Sequence, residues 1–279
     1  MKYYNIVFPD GKVKALTFSY DDGVDSDIRL AEIFKKNGLK GTFNLNGGLM
    51  NGNEATHCRR LTEEECQKLY SDPDFEVACH AYTHPHLESC DEAVCLDEIV
   101  SDRLKLELLF GTQIHGMAYP FGTYNNTVLD CCRTAGIYYN RTVSSTLNFS
   151  LPTEWLLWNP TCHHVNAEIF NLAEKFLNEP MNRRDASKLF YIWGHSYEFN
   201  MRNDWERMEQ LCEILGGHDD VWYATNMEIF MYCRAFKRLK YSVDGSVISN
   251  PTDTEVWLRK GVSDEIFSIK PGETVKVEE

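Results

Sequence analysis

Ala15-Leu16-Thr17-Phe18-Ser19-Tyr20-Asp21-Asp22-Gly23 reads as an apolar strand, rich in β-favouring residues, that runs into two adjacent carboxylates and a glycine free to turn. Burying one carboxylate at a strand end is costly. Burying two side by side is worse, because like charges raise each other's proton affinity unless a cation or hydrogen-bond donors compensate. A second strand-like run, Phe75–Cys79, leads into His80-Ala81-Tyr82-Thr83-His84-Pro85-His86, a cluster of imidazoles. Asp22, His80 and His84 are therefore candidate ligands of one metal ion. A lone buried histidine is more often a satisfied core residue, but the three together favour a metal.

Outward from the opening strand the pattern alternates. Residues 3–8 and 13–19 flank Pro9-Asp10-Gly11-Lys12, whose turn chemistry predicts a hairpin with the first strand added to the second. Asp25 or Ser26 is placed to cap a helix with a stripe of Ile28, Leu30, Ala31, Ile33 and Phe34, closed by Asn37-Gly38. Further strands are predicted at 41–45, 75–79, 116–119, 138–143, 189–193 and 221–224, with helices near 125–135, 167–178, 203–215 and 226–237. Thr62-Glu63-Glu64-Glu65 and Ser89-Cys90-Asp91-Glu92 both carry the capping-box pattern and open two more helices, the second ending at Phe110-Gly111. Strand-then-helix repeats imply parallel strands with helices outside. Because the count is near seven, the expected class is α/β, an incomplete or distorted (β/α) barrel. Asp21, Asp22, His80, Tyr119 to Gly122 and His195 each fall just beyond a predicted strand, so they should converge on one face. Barrel mouths are polar in any case, which is the bland alternative.

Past Leu239 the pattern changes to short β runs at 241–248, with an Asp244-Gly245 turn, at 255–258, and at 266–270 and 274–277 around Pro271-Gly272. The expected organisation is a barrel with its N-terminal hairpin over 1–237 and a small C-terminal antiparallel β appendage over 238–279, packed to cover a barrel edge. With 279 residues, 43% hydrophobic and 13% aromatic, the chain is long enough to bury one large core. Its 28 Lys and Arg against 42 Asp and Glu leave a net charge of −14, which repels phosphate backbones and anionic lipid. Nucleic acid is accordingly a poor partner. Residues 1–10 hold no long apolar run, so neither a signal peptide nor a membrane span is read there, and a cytoplasmic protein is expected. Ten scattered cysteines without Cys-x-x-Cys spacing read as reduced, buried thiols.

Several of these stretches resemble the polysaccharide deacetylases, the chitooligosaccharide-deacetylase-like hydrolases of carbohydrate esterase family four. Thr17-Phe18-Ser19-Tyr20-Asp21-Asp22-Gly23 is similar to the family's first motif, His80-x-x-x-His84-Pro85 to its second, Tyr119-Pro120-Phe121-Gly122 to its third and Ile192-Trp193-Gly194-His195 to its last. An ordered set of four is far more specific than any one of them. The tail after residue 235 is not covered.

The resemblance implies a role for each matched residue. Asp22, His80 and His84 would hold one divalent ion, zinc first, which polarises a carbonyl and acidifies water. Asp21 would be the base, the backbone N–H of Phe121 an oxyanion donor, and His195 the acid that protonates the leaving amine. Trp193 and nearby Trp155 or Trp158 would line an acetyl pocket or a sugar-stacking wall, although aromatic residues in a barrel are more often core. The chain departs from the family where Ala118-Tyr119 stands in place of an arginine, and where no fourth-motif aspartate is found to steady the acid. Arg141 and Glu198 are the candidates for those roles, with surface charge or helix capping as the alternative. The leading reading is a metal-dependent hydrolase that removes acetyl from an N-acetylated sugar or oligosaccharide. Its alternatives are a hydrolase of another small amide and an inactive carbohydrate-binding protein. A nucleic-acid-processing metal enzyme is disfavoured by the charge.

Overall fold

In the computed structural model, which describes residues 2–55, 57–180, 186–261, 263 and 265–278, all eight residues of the opening strand are buried. The cause is topological. In chain order the elements are β1 (Tyr4–Val7), β2 (Lys14–Asp21), α1 (Ser26–Lys36), β3 (Gly41–Leu45), α2 (Glu63–Tyr70), β4 (Phe75–Cys79), α3 (Glu92–Phe110), β5 (Gly116–Ala118) and α4 (Asn126–Thr134). There follow β6 (Tyr139–Arg141), β7 (Cys162–His163), α5 (Ile169–Asn178), β8 (Lys188–Gly194), α6 (Tyr197–Arg202), α7 (Trp205–Leu215), β9 (Val221–Tyr223) and α8 (Asn226–Arg238). The sheet runs β6-β5-β4-β3-β2-β8-β7, parallel throughout. β8 lines one edge of β2 from Lys14 to Tyr20, so the other edge is shared, β9 pairing with Lys14–Leu16 and β3 with Ser19–Asp21. The seven strands form a curled half-barrel, as the alternating pattern leads one to expect.

Side-chain alternation along β2 assigns the two faces. Phe18 and Tyr20 turn outward to the helices, meeting Phe34 of α1 at 4.7 and 5.9 Å between ring centroids. Thr17, Ser19 and Asp21 turn inward to polar partners: Thr17 donates to Asn226 (2.9 Å), and Asn44 donates to Ser19 and Asp21 (both 2.8 Å). At the opposite end the interior is filled by Tyr139, Trp158, Tyr191 and Phe230. Trp158 belongs to this core and Trp155 packs against it, in edge contact at 4.8 Å, and of the three tryptophans only Trp193 lines the cavity at the strand ends.

Some local readings change. Thr62 forms its capping box with Glu65, but α3 is capped by Asp91, whose carboxylate accepts from Val94 N–H, while Ser89 ends a short 3-10 turn. The side chain of Asp25 makes no capping bond to α1. Two elements were too short for periodicity to reveal, the two-residue β7 and the six-residue α6. The expected N-terminal hairpin shrinks to one antiparallel bridge, Phe8 with Lys12, and β1 pairs elsewhere.

Its partner lies in the tail, which comprises β10 (Lys240–Tyr241), β11 (Val247–Ser249), β12 (Val256–Lys260), β13 (Ile266–Ile269) and β14 (Thr274–Lys276). They form two antiparallel sheets, β1-β12-β13 and β10-β11-β14. The runs on either side of Pro271-Gly272 therefore pair with different neighbours. Tyr232 of α8 explains the placement of β1: its hydroxyl donates to Val7 O (2.6 Å) and accepts from Trp257 N–H (2.9 Å), tying both strands to the barrel helix. The division into 1–237 and 238–279 stays a proposal, since β1 pairs across it.

Candidate active site and metal centre

Polar side chains stand at or just past the ends of β2, β4, β5, β6, β7 and β8, and those of β2, β4, β5 and β8 line one cavity of 490 Å³. Asp21 closes β2 and Asp22 follows it. His80 follows β4, Tyr119 to Gly122 follow β5, Arg141 ends β6, His163 ends β7 and His195 follows β8. Asp21, Asp22, His80, His84, Phe121, Trp193 and His195 all line that cavity, so the residues picked out by sequence are brought together.

Single ligand atoms of Asp22, His80 and His84 lie within 4.8 Å of one another. The two Nε2 atoms of His80 and His84 are 3.2 Å apart, and His84 Nε2 is 3.9 Å from Asp22 Oδ1. His80 Nδ1 donates to Ala118 O (2.8 Å), which fixes the tautomer and leaves the Nε2 lone pair aimed at His84. Two imidazole nitrogens facing each other beside a carboxylate suit a cation well. Burial, aided by the charge of His80, lowers His84 to about 4 and so keeps it neutral at physiological pH, the form that coordinates. These residues fit a divalent ion.

The backbone here is held in uncommon conformations. Asp22, Ala81, His84 and Phe121 have φ of 86°, 60°, 59° and 57°, in the left-handed region that costs a non-glycine residue energy and recurs at functional sites. Gly122 is required next to Phe121, because a Cβ there would lie 2.3 Å from a Val143 methyl. The ring of Phe121 is half exposed and stacks on His86 with 3.8 Å between centroids.

Asp21 is 2% exposed, and its Oδ2 receives Arg141 Nη2 at 2.5 Å. Burial opposes its ionisation, but the Arg141 guanidinium, together with His80 and His195, outweighs this and holds the carboxyl below the usual range. Arg141 is itself stacked over Trp193, 4.2 Å from the ring centroid. His195 Nε2 and His80 Nε2 stand 3.8 and 3.9 Å from the same Asp21 oxygen. His195 Nδ1 meets Glu198 Oε1 at 3.1 Å; although burial works against the charged ring, this carboxylate raises its pKa above the ordinary value. Arg141 thus pairs with Asp21 and Glu198 with His195, and neither is a surface charge.

Other participants carry no sequence signal. Asp102, buried in the middle of α3, accepts from His80 N–H (2.9 Å) and Gly47 N–H (2.6 Å). Arg60 contacts both the backbone carbonyl of Asp22 and its Oδ1, the latter at 3.2 Å, and reaches Asn46 Oδ1 at 3.2 Å. His163 and His164 flank Glu198. An adjacent His-His pair was the available signal for these last two, but no strand was read before it.

Part of the sequence and the fold resemble known proteins. Residues 9–140 match the family model described as polysaccharide deacetylase. No curated protein matches the sequence. Among solved structures, the chain is similar to a Mycobacterium smegmatis protein assigned to the polysaccharide deacetylases, with 17% identity, a TM-score of 0.61 and coverage of 85% of this chain and 96% of that one. It is also similar to a carbohydrate esterase family 4 pseudoenzyme from Bacillus anthracis, at 16% identity and a TM-score of 0.51, covering 78% and 65%. A third similarity is to the Streptococcus pyogenes deacetylase PplD, solved with acetate, at 23% identity and a TM-score of 0.46; the match takes in 50% of this chain and 61% of that protein. At these identities the first two structures speak for the fold alone. Among the described residues no helix is long and apolar enough to cross a membrane.

Proposed function

We propose, from the membership of residues 9–140 in the polysaccharide deacetylase family, that this chain is a metal-dependent hydrolase releasing acetate from an N-acetylated sugar or oligosaccharide. The observation that carries the reading is the convergence at one cavity of three neutral-or-anionic donors, a buried carboxylate and an imidazole held by a second carboxylate. Asp22, His80 and His84 would hold one divalent ion, zinc being the best match to two imidazoles and a carboxylate. When bound, such an ion supplies Lewis-acid polarisation of the acyl oxygen and a more acidic water.

The remaining work falls to the chain's own groups. Asp21, kept ionised by Arg141, takes the proton of the attacking water, and Asn44 fixes its other oxygen. Phe121 N–H, presented by the left-handed turn, donates to the acyl oxygen as negative charge develops there. His195, with Nδ1 anchored on Glu198, gives the Nε2 proton to the departing amine, which leaves poorly as an anion. Trp193, Val143 and Tyr197 provide apolar wall for the methyl group, and 490 Å³ suits a single sugar unit with its acyl group.

The test is acetate release from a panel of N- and O-acetylated saccharides by purified, zinc-loaded protein. Release is expected with N-acetylated substrates, and the His80→Ala/His84→Ala double variant should lose it together with its metal. Unchanged metal content in that variant would show the ligand assignment to be wrong. No acetate from any substrate would remove the deacetylase reading and leave a binding protein on this fold.

A further inference from the structure

A second donor cluster sits on the far side of the acid histidine. His164 lies just past β7, its ring enclosed between Tyr20 (centroids 5.6 Å, nearly parallel) and Phe199 (4.3 Å), with 1% of the side chain exposed. Gly194 makes room for it, since a Cβ there would fall 1.9 Å from Nδ1. Neither ring nitrogen of His164 has a hydrogen-bond partner, and Glu198 Oε2 has none either. The two stand 3.1 Å apart, close enough to bond, but their alignment is too poor. Buried polar atoms are almost always paired, and two orphans side by side suit a cation held beside both. His163 Nε2 approaches the same oxygen at 3.6 Å.

We infer that His163, His164 and Glu198 form a second site for a divalent transition-metal ion, distinct from Asp22, His80 and His84. Metal–nitrogen bonds of about 2.0–2.1 Å in tetrahedral geometry place donors roughly 3.3–3.4 Å apart, and the separations of 3.1 and 3.6 Å bracket that spacing. They also resemble those of the first trio, 3.2 and 3.9 Å. Two imidazoles and one carboxylate suit zinc rather than calcium or magnesium, which prefer oxygen. His163 is the outermost ligand. Its Nδ1 takes a long 3.3 Å contact from Val165 N–H, which puts the ring proton on Nε2 in the metal-free protein; coordination moves that proton to Nδ1 and gives the contact up. Glu198 then bridges the ion on Oε2 and His195 on Oε1, so the ion acts on the acid histidine by positioning it.

Zinc is titrated into chelator-stripped, full-length protein and followed by calorimetry and elemental analysis, with an anomalous map to place each ion. Two equivalents are expected. His163→Ala, at a half-buried position that tolerates truncation, and Glu198→Gln should each weaken one equivalent at least tenfold and spare the other. His80→Ala/His84→Ala should do the reverse. A wild type that saturates at one equivalent, or a second equivalent indifferent to both His163→Ala and Glu198→Gln, overturns the inference and leaves the trio as a hydrogen-bonded support for His195. The readout is independent of acetyl chemistry: zinc at His163 and His164 alone would sink the proposed catalytic centre but not this one.

Discussion

Asp21 and Asp22 are neighbours in sequence with different environments, and the difference is what makes them testable. Asp21 faces Arg141, Asn44 and His195, whereas Asp22 turns through a positive φ toward His84 and Arg60. Asp21→Asn should therefore keep zinc and lose nearly all turnover, while Asp22→Asn should bind zinc more weakly and recover part of its turnover in excess zinc. Swapped phenotypes would exchange the two roles. Arg141→Met leaves the Asp21 carboxylate buried without its cation, a change that costs about 3–5 kcal/mol when a buried pair is broken; chemical denaturation measures it, and a loss below 1 kcal/mol would mean that Asp21 finds another partner or a proton. The aspartates and histidines were legible because acids and imidazoles next to strand ends are chemically conspicuous. Arg141 and Glu198 were legible only as candidates. Arg60 and Asp102 were not, because a loop arginine and a mid-helix aspartate look like solvated charges until the fold brings Asp22 and His80 to them.

Elements are joined at this mouth by a carboxyl that does no chemistry in the proposed reaction. Asp27, fully buried at the start of α1, accepts from Ser196 Oγ (2.5 Å) in the segment between β8 and α6, from Tyr70 OH of α2 (2.6 Å) and from Val24 N–H (3.1 Å). Burial outweighs these donors and pushes its pKa up to about 7, from ~4 in an unfolded chain. The folded state then holds a proton that the unfolded chain has released. Its contribution to stability is fully present below ~4 and lost as pH rises through about 7. The total pH profile does not isolate this effect, because burial lowers His80, His84, His163 and His164, and these destabilise in the opposite direction, as pH falls below their ordinary value. Comparison with Asp27→Asn does isolate it. Between pH 5 and 8 the wild type should lose roughly 2–3 kcal/mol relative to the variant, even though the variant is less stable overall for want of an acceptor. Parallel pH profiles for the two proteins would show that Asp27 is already ionised in the folded state. Strand and helix order was readable from periodicity, but β7 and α6 were not, since two and six residues give a period of 2 or 3.6 too few repeats to register.

At the level of the whole molecule, the part of the fold that sequence reading misplaced is the pairing of its two ends. Pro9-Asp10-Gly11 signals a turn, and a turn between two strand-like runs predicts that they pair, because local closure costs the least entropy. Yet β2 already has both edges occupied inside the barrel, by β8 on one side and by β3 and β9 on the other. No edge is left for β1. It goes to β12, four residues in antiparallel register from Tyr4 with Lys260 to Val7 with Trp257, and Tyr232 locks the pair to α8. Ile248, Val256, Leu258 and Ile269 of the tail form a buried cluster with Ala235 and Leu239 of the barrel side. Deleting everything after Leu239 therefore unpairs β1 and strips the cover from the outer face of α8. If the tail were a dispensable appendage, the truncated chain would keep the thermal midpoint of the full protein. The pairing predicts instead a midpoint lower by more than 10 °C or insoluble protein, since losing even three such buried aliphatic side chains at about 1.5–3 kcal/mol each exceeds half the stability of a typical domain. Zinc content separates the outcomes further: a truncated protein that stays soluble should still load the Asp22, His80 and His84 centre, whose supporting strands lie wholly within the half-barrel. An unchanged midpoint after truncation would show that β1 and the tail are bound to the barrel too weakly to matter for its stability.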